Sequence, residues 1–225
     1  GTILTQSWKT VDGADGTKSF SPDGTSYTTI VRPDNSKTET VIRTDGSYKT
    51  TEYDSNNNII GTTEKSTRGT IVSHRFNEDG SQVETIYRRD GTACETKYNT
   101  DGDVISQTDY RADGTISRVS EYNVDGSSKV YEYDTSNKIV KEKIFAADGS
   151  NTIIEYDSNG KITFKEISNP DGTSTKFDII KDGRERTLEF DADGNLIRGK
   201  IVSPDGSYHT REVSEGITTD VHYNV

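Results

Sequence analysis

Tyr156-Asp-Ser-Asn-Gly160-Lys-Ile162-Thr-Phe-Lys-Glu-Ile167-Ser-Asn-Pro-Asp171-Gly172 carries two turn signals twelve residues apart with one extended stretch between them. Asn-Gly and Asp-Gly mark tight turns because a hairpin loop needs positive φ, which Gly supplies without steric cost and Asn or Asp tolerates. The stretch Ile162–Ile167 is rich in β-branched and aromatic residues, which suit a pleated surface. Turn, strand, turn is therefore the expected unit.

That unit recurs along the whole chain. Fifteen of the twenty glycines directly follow Asp or Asn. From Gly24 they fall at 46, 80, 91, 102, 114, 126, 149, 160, 172, 183, 194 and 206. Asp34-Asn35, Asn56-Asn57-Asn58, Arg68-Gly69 and Ser136-Asn137 fill the larger gaps. A period near eleven residues, less a short turn, leaves strands of about 7–8 residues. No helical stripe is long enough to compete, since Gly and β-branched residues interrupt every candidate. The expected fold is all-β: one long antiparallel meander of about 18–20 short strands, either a single layer or a sheet curling into a partial shell.

Composition constrains how such a sheet is held. Hydrophobic residues are only 28% of the chain, against ~45–50% in ordinary domains. A sandwich needs one clean apolar face per strand, and few strands supply it. In Leu196-Ile-Arg-Gly-Lys-Ile-Val202, strict alternation places Arg198 and Lys200 on one face with Leu196 and Val202. Thr173, Thr175, Phe177 and Ile179 make a better face. Cross-strand pairs of Lys, Glu, Thr and Tyr, each contributing roughly 0.2–1 kcal/mol, are expected to replace a large core, as neighbour terms do in repeat proteins.

The net charge of −11 argues against nucleic acid, whose phosphates require a basic face. No stretch approaches the ~20 apolar residues of a membrane-spanning helix, so no membrane insertion is expected. Cys94 stands alone and is expected to be inert. The chain lacks Met and begins at Gly1, so it is expected to be a segment whose main partner is the rest of a larger parent chain. Residues 1–225 read as one continuous hairpin array. Its first twenty residues, with Asp12-Gly13 and Asp15-Gly16 three apart and Trp8 the only tryptophan, read as an irregular N-terminal cap or join. Glu215-Gly216 is the last expected turn, before the alternating Ile217, Thr219, Val221 and Tyr223.

A second pattern overlies the first. Tyr53-Asp-Ser-Asn-Asn-Asn-Ile59, Tyr98-Asn-Thr-Asp-Gly-Asp-Val104, Tyr133-Asp-Thr-Ser-Asn-Lys-Ile139, Tyr156-Asp-Ser-Asn-Gly-Lys-Ile162 and Phe190-Asp-Ala-Asp-Gly-Asn-Leu196 each place an aromatic and an aliphatic residue six apart across a turn. With Asp-Gly following, this resembles the YD repeat of RHS-type bacterial proteins and teneurins. Residues 156–172 match best and weaker copies cover most of 48–206. MORN-type hairpin repeats are similar too. The aromatic positions lie 45, 35, 23 and 34 residues apart, about four, three, two and three strands, so the unit here is the single strand. The RHS resemblance implies a wall of a shell that encloses a toxic domain; no such domain is visible in this sequence.

Chemistry is sparsely signalled. Asp191-Ala-Asp193-Gly-Asn195, Asn99-Thr-Asp101-Gly-Asp103 and Asp157-Ser-Asn159-Gly share part of a calcium loop's oxygen spacing but lack its bidentate Glu; plain turns demand the same residues. His74, His209 and His222 are scattered, no Gly-x-Ser-x-Gly elbow occurs, and no acidic pair stands out, so neither catalytic nor metal residues are expected, nor any cofactor. Thr clusters such as Thr28-Thr29 and Thr38-Glu-Thr40 do not recur in register and read as β-propensity. The binding candidates are aromatic: Tyr48, Tyr53, Tyr131, Tyr133 and Tyr156, which a single sheet would display as stripes for a glycan or protein partner. The expected function is a non-catalytic structural segment, shell wall or stalk, of a bacterial surface or secreted protein. The alternative is an adhesin-type binding module that uses those tyrosines.

Overall fold

In the computed structural model, which describes residues 4–214 and 216–224, every described element is a β-strand. The chain forms two compact units, 1–115 and 116–225. The first contains β1 (Thr5–Lys9), β2 (Asp15–Phe20), β3 (Ser26–Val31), β4 (Lys37–Ile42), β5 (Tyr48–Tyr53), β6 (Ile59–Lys65), β7 (Ile71–Phe76), β8 (Gln82–Tyr87), β9 (Ala93–Tyr98) and β10 (Val104–Tyr110). The second contains β11 (Ile116–Tyr122), β12 (Ser128–Tyr133), β13 (Ile139–Phe145), β14 (Asn151–Tyr156), β15 (Ile162–Ser168), β16 (Ser174–Ile179), β17 (Glu185–Phe190), β18 (Leu196–Val202), β19 (Tyr208–Ser214) and β20 (Ile217–Tyr223). Within each unit every strand pairs antiparallel with the strands before and after it, and among the described residues it touches no others. Each unit is a single-layer meander that does not close into a barrel.

The turns are all but identical because one backbone solution suits them. In Ser21-Pro-Asp-Gly24-Thr25, the Gly24 N–H donates to the Ser21 carbonyl at 2.9 Å and the Ser21 N–H donates to the Thr25 carbonyl at 2.9 Å. This is a type I turn closed by a left-handed residue, the three-residue hairpin loop whose twist matches the strands. Gly24 has φ 86°, and where glycine is missing the position is Asn35, Asn57 or Asn137, at φ 68°, 69° and 59°. The expected turn at Glu215-Gly216 is described only at Gly216, since Glu215 lies outside the described residues.

Side chains lock the turns in two ways. In most turns where Asp directly precedes the left-handed residue, its carboxylate accepts the N–H two residues on, as Asp45 does from Ser47 at 2.9 Å and Asp171 from Thr173 at 2.9 Å. The Thr173 hydroxyl adds a second bond to the same oxygen at 2.7 Å. In the Tyr-Asp turns the acceptor stands at the loop's start: Asp157 Oδ1 takes the N–H groups of Asn159 and Lys161 at 2.8 and 2.9 Å. Asn99 does the same for Asp101 and Asp103 at 3.0 and 2.8 Å. The first oxygen of each calcium-like run, on Asn99, Asp157 or Asp191, is thus engaged by the backbone of its own turn.

Every Tyr-Asp or Phe-Asp hairpin also carries a bulge. Tyr53 pairs with Ile59 but Glu52 pairs with Gly61, leaving Ile60 without an opposite number. Ile105, Val140, Thr163 and Ile197 are the equivalent residues. Left-handed positions mostly recur every 11 residues; of the six steps of 12, those beginning at Asn57, Gly102, Asn137, Gly160 and Gly194 cross these bulges, the sixth runs from Gly114 to Gly126, and the last step, Gly206 to Gly216, is 10. Because an extra residue inverts side-chain alternation, Leu196 shares a face with Phe190, whereas Arg198, Lys200 and Val202 lie on the other. The strict alternation expected for that strand is corrected accordingly.

Within the segment expected as an irregular cap or join, β1 and β2 pair in regular register from Thr5↔Ser19 to Lys9↔Asp15. Gly13 makes the turn. Gly16 lies opposite Trp8, where any Cβ would overlap the indole. Its lack of a side chain lets the ring lie across the strand.

Almost nothing is buried. Ala14, Ala93 and Cys94 are the buried hydrophobic residues, and among the described residues no large side chain is fully buried. Cohesion comes from the ladder and from pairs across it. Lys141 and Lys143 reach Glu155 and Glu132 at 2.7 and 2.8 Å, Lys176 reaches Glu166 at 2.9 Å, and Arg186 holds Asp178 through two bonds of 2.6 and 2.9 Å. In the first unit a hydroxyl row runs Thr28, Thr40, Thr50, Thr63, Ser73, Thr85 over six adjacent strands. Thr40 bonds Thr50 at 3.1 Å and Thr63 bonds Ser73 at 3.3 Å. The threonines therefore do stand in register, contrary to the sequence reading. An antiparallel register makes their spacing alternate between short and long steps, so no constant period reveals them.

The turn carboxylates make stability pH-dependent. Bonds from the following hydroxyl, and then from the backbone N–H, hold Asp45, Asp79, Asp113, Asp171 and Asp205 below the usual carboxylate range. A group whose folded value is lowered contributes fully above its unfolded value, near ~3.9, and loses that contribution as pH falls through the folded value. The urea midpoint is expected to hold steady from about pH 7 to 5 and to fall below about pH 4, with a shallower fall in Asp171→Asn. An unchanged midpoint down to pH 2 would contradict this.

Candidate binding face

Three of the five candidate tyrosines come together in the second unit. Tyr131 and Tyr133 share a face of β12, and Tyr131 lies opposite Glu142 of β13. Glu142 pairs in turn with Ile154 of β14, two residues from Tyr156 on the same face. The Tyr156 hydroxyl donates to Glu142 Oε2 at 3.0 Å. Burial raises the hydroxyl pKa of Tyr133 and of Tyr156, and the bond to Glu142 adds to the rise at Tyr156.

The two Tyr-Asp turns of this region stand side by side because their motifs are two strands apart. Between them lies a cleft of about 530 Å³ lined by Tyr133, Ile139 and Tyr156 on the sheet and by Asn137, Lys138, Ser158 and Asn159 from the turns. Lys138 Nζ donates to the Ser158 carbonyl at 2.7 Å and clasps one turn to the next. Asp134 fixes its own turn by accepting from Ser136 and Lys138 at 2.8 and 2.9 Å.

Tyr48 and Tyr53 behave differently. Five residues apart on β5, they project from opposite faces, so no stripe joins them. The Tyr53 hydroxyl donates to Glu39 at 3.0 Å, repeating the Tyr156–Glu142 arrangement, while Lys37 Nζ sits 4.1 Å from the ring centroid. The Glu39 bond raises the Tyr53 pKa. These contacts fasten the sheet. Tyr48 lines a separate cleft of about 510 Å³ with Arg43, Lys65 and Thr70.

Sequence reasoning missed two arrangements. Tyr87 and Tyr110 flank Ala93, and with Glu95 and Arg111 they line a groove of about 300 Å³. Their spacing signals nothing until the register is known. His209 and His222 also meet, in register on β19 and β20, with ring centroids 4.3 Å apart and planes 7° from parallel. Asp220 lies 3.3 Å from His209 Nε2. Tyr208 and Tyr223 stack on the opposite face at 4.3 Å. Among the described residues no three His, Cys, Asp or Glu side chains converge as metal ligands. Cys94 is buried, and that burial, with Asp109 beside it, raises its thiol pKa and disfavours the reactive thiolate.

Residues 87–130, about a fifth of the chain, match a family described as "Protein of unknown function (DUF2963)". No curated protein matches. Among solved structures, the TCP domain of SAS-4 (dCPAP) from Drosophila melanogaster, in complex with a proline-rich motif of Ana2 (dSTIL), is similar at 14% identity and a TM-score of 0.27. That match covers 81% of this chain and 87% of the fly domain. A TM-score this low does not establish a shared fold.

Removing the Tyr156 hydroxyl tests the site's internal wiring. Tyr156→Phe is expected to lower stability by about 0.5–1.5 kcal/mol, the usual net worth of one hydrogen bond, as measured by urea denaturation. No loss would mean that the bond to Glu142 is not formed in solution.

Proposed function

We propose that this chain is a structural repeat segment, shell wall or stalk, of a larger bacterial surface or secreted protein, with no catalysis of its own. One observation carries this reading: within each unit, among the described residues, a strand touches only its sequence neighbours, so length can change by whole strands without disturbing a core. The resemblance to the YD repeats of RHS-type proteins supports the same reading and supplies the bacterial surface or secreted setting; MORN-type repeats remain the near relative in pattern. The partner of such a segment is the rest of its parent chain. Neither nucleic acid nor membrane insertion enters this reading.

A second reading, a binding module, is favoured by the gathering of Tyr131, Tyr133 and Tyr156 on one face beside a cleft. The scaffold reading does not require such a gathering.

The test of the scaffold is excision. Deleting residues 25–46 removes β3 and β4 and joins Gly24 to Ser47, so Asp23 caps the new turn and Phe20 meets Tyr48. The shortened chain is expected to unfold cooperatively, with stability reduced by a neighbour increment and strand content per residue unchanged by circular dichroism. Collapse to an unfolded chain would refute the additive construction.

A further inference from the structure

We propose that the cleft between the turns after β12 and β14 binds a ring of a neutral carbohydrate. This inference rests on the binding-module reading and names its ligand. The site is set apart by topology: of the four spacings between Tyr-Asp motifs, only the 23-residue step equals two strands. It puts Tyr133 and Tyr156 at one end of one face, with Ile139 between them, roughly 9–10 Å apart at strand spacing.

The walls differ in character. Tyr133, Ile139 and Tyr156 form an apolar floor, whereas Asn137, Ser158 and Asn159 form a polar rim. The charged groups nearby are engaged. Lys138 Nζ holds the Ser158 carbonyl, Asp157 Oδ1 holds two N–H groups of its own turn, Glu142 holds the Tyr156 hydroxyl and Lys161 reaches Glu185 at 3.3 Å. Lys138 and Asp157, of opposite charge, both line the cleft, so neither a phosphate nor an ammonium ligand meets a net counter-charge in its walls. A peptide cannot dock by adding a strand, because β12, β13 and β14 are paired on both sides, and strand addition needs an open edge. What fits is a ligand with one apolar face to lie on tyrosine and a rim of hydroxyls to meet amides and a serine, which is a sugar ring. About 530 Å³ is within the usual size of small-ligand sites.

The experiment uses the full chain, labelled at isoleucine methyl and tyrosine ring positions, titrated by NMR to millimolar concentrations. The probes are maltohexaose, cellohexaose and chitotetraose, with an oligogalacturonate and a proline-rich peptide in parallel. The expected result is saturable shifts of Ile139, Tyr133 and Tyr156 with at least one neutral oligosaccharide. Affinity should fall at least about tenfold, or 1.4 kcal/mol, in Tyr133→Ala and in Tyr133→Leu, which keeps apolar bulk if the alanine variant misfolds, and should be unchanged in Tyr48→Ala. Shifts at the same residues from the uronate or the peptide alone would overturn the neutral-sugar assignment while leaving the cleft a binding surface. No shift of these residues with any probe would overturn both the assignment and the binding-module reading.

Discussion

A left-handed residue at a fixed place in each fully described loop is the constraint on which the rest of this structure depends. It lets a type I turn close a hairpin with the twist that antiparallel strands require. Glycine or asparagine meets it at each position, and the neighbouring Asp or Asn oxygen holds the loop by accepting backbone N–H groups. With Ala14, Ala93 and Cys94 as the buried apolar residues, burial cannot select the register as it does where one face is covered. The turns must select it. Ion pairs and hydroxyl contacts then add cohesion one neighbour at a time, and exposed pairs of this kind are individually weak.

The bulges are the second device. They occur at the five hairpins where an aromatic residue precedes an Asp or Asn and an aliphatic residue follows six positions on, opposite the aromatic. Each inserts one residue, exchanges the faces of all that follow in its strand, and thereby decides which tyrosines become neighbours. Tyr131, Tyr133 and Tyr156 share a face because Glu142, beyond the bulge at Val140, lies opposite both Tyr131 and Ile154, two residues from Tyr156. Tyr53 and Tyr156 each bond the glutamate fourteen residues earlier, so a Tyr-Asp turn fixes its aromatic ring as well as its loop.

How much of this was legible follows from what each signal encodes. Turn positions were plain, down to Asn35, Asn57, Asn137 and Gly69 standing in for Asp-Gly, because positive φ restricts residue choice directly. Strand count and all-β class followed. The pairing of Tyr53 with Ile59 across its turn was also readable, since both lie within one hairpin. Lost were properties that depend on register over several strands. The hydroxyl row from Thr28 to Thr85 has no constant spacing; the meeting of His209 with His222 follows from the expected turn centred on Glu215-Gly216 and was overlooked rather than hidden. The face of Leu196 needs the bulge at Ile197. For the first twenty residues, Asp15-Gly16 carried the composition of a turn, yet its glycine serves the Trp8 ring. Of the tyrosines, type alone could not separate Tyr48 and Tyr53, which diverge, from the three that converge.

The central claim is that turns and neighbour pairs, not a hydrophobic core, hold this chain together. Scanning calorimetry tests it most directly, because the heat-capacity change of unfolding reports newly exposed apolar surface. An ordinary globular protein of 225 residues would show about 2.7–3.4 kcal/mol/K at ~12–15 cal/mol/K per residue. A cooperative transition with a value well below that range is the predicted result. A value within or above it would reveal a buried apolar core and contradict the account.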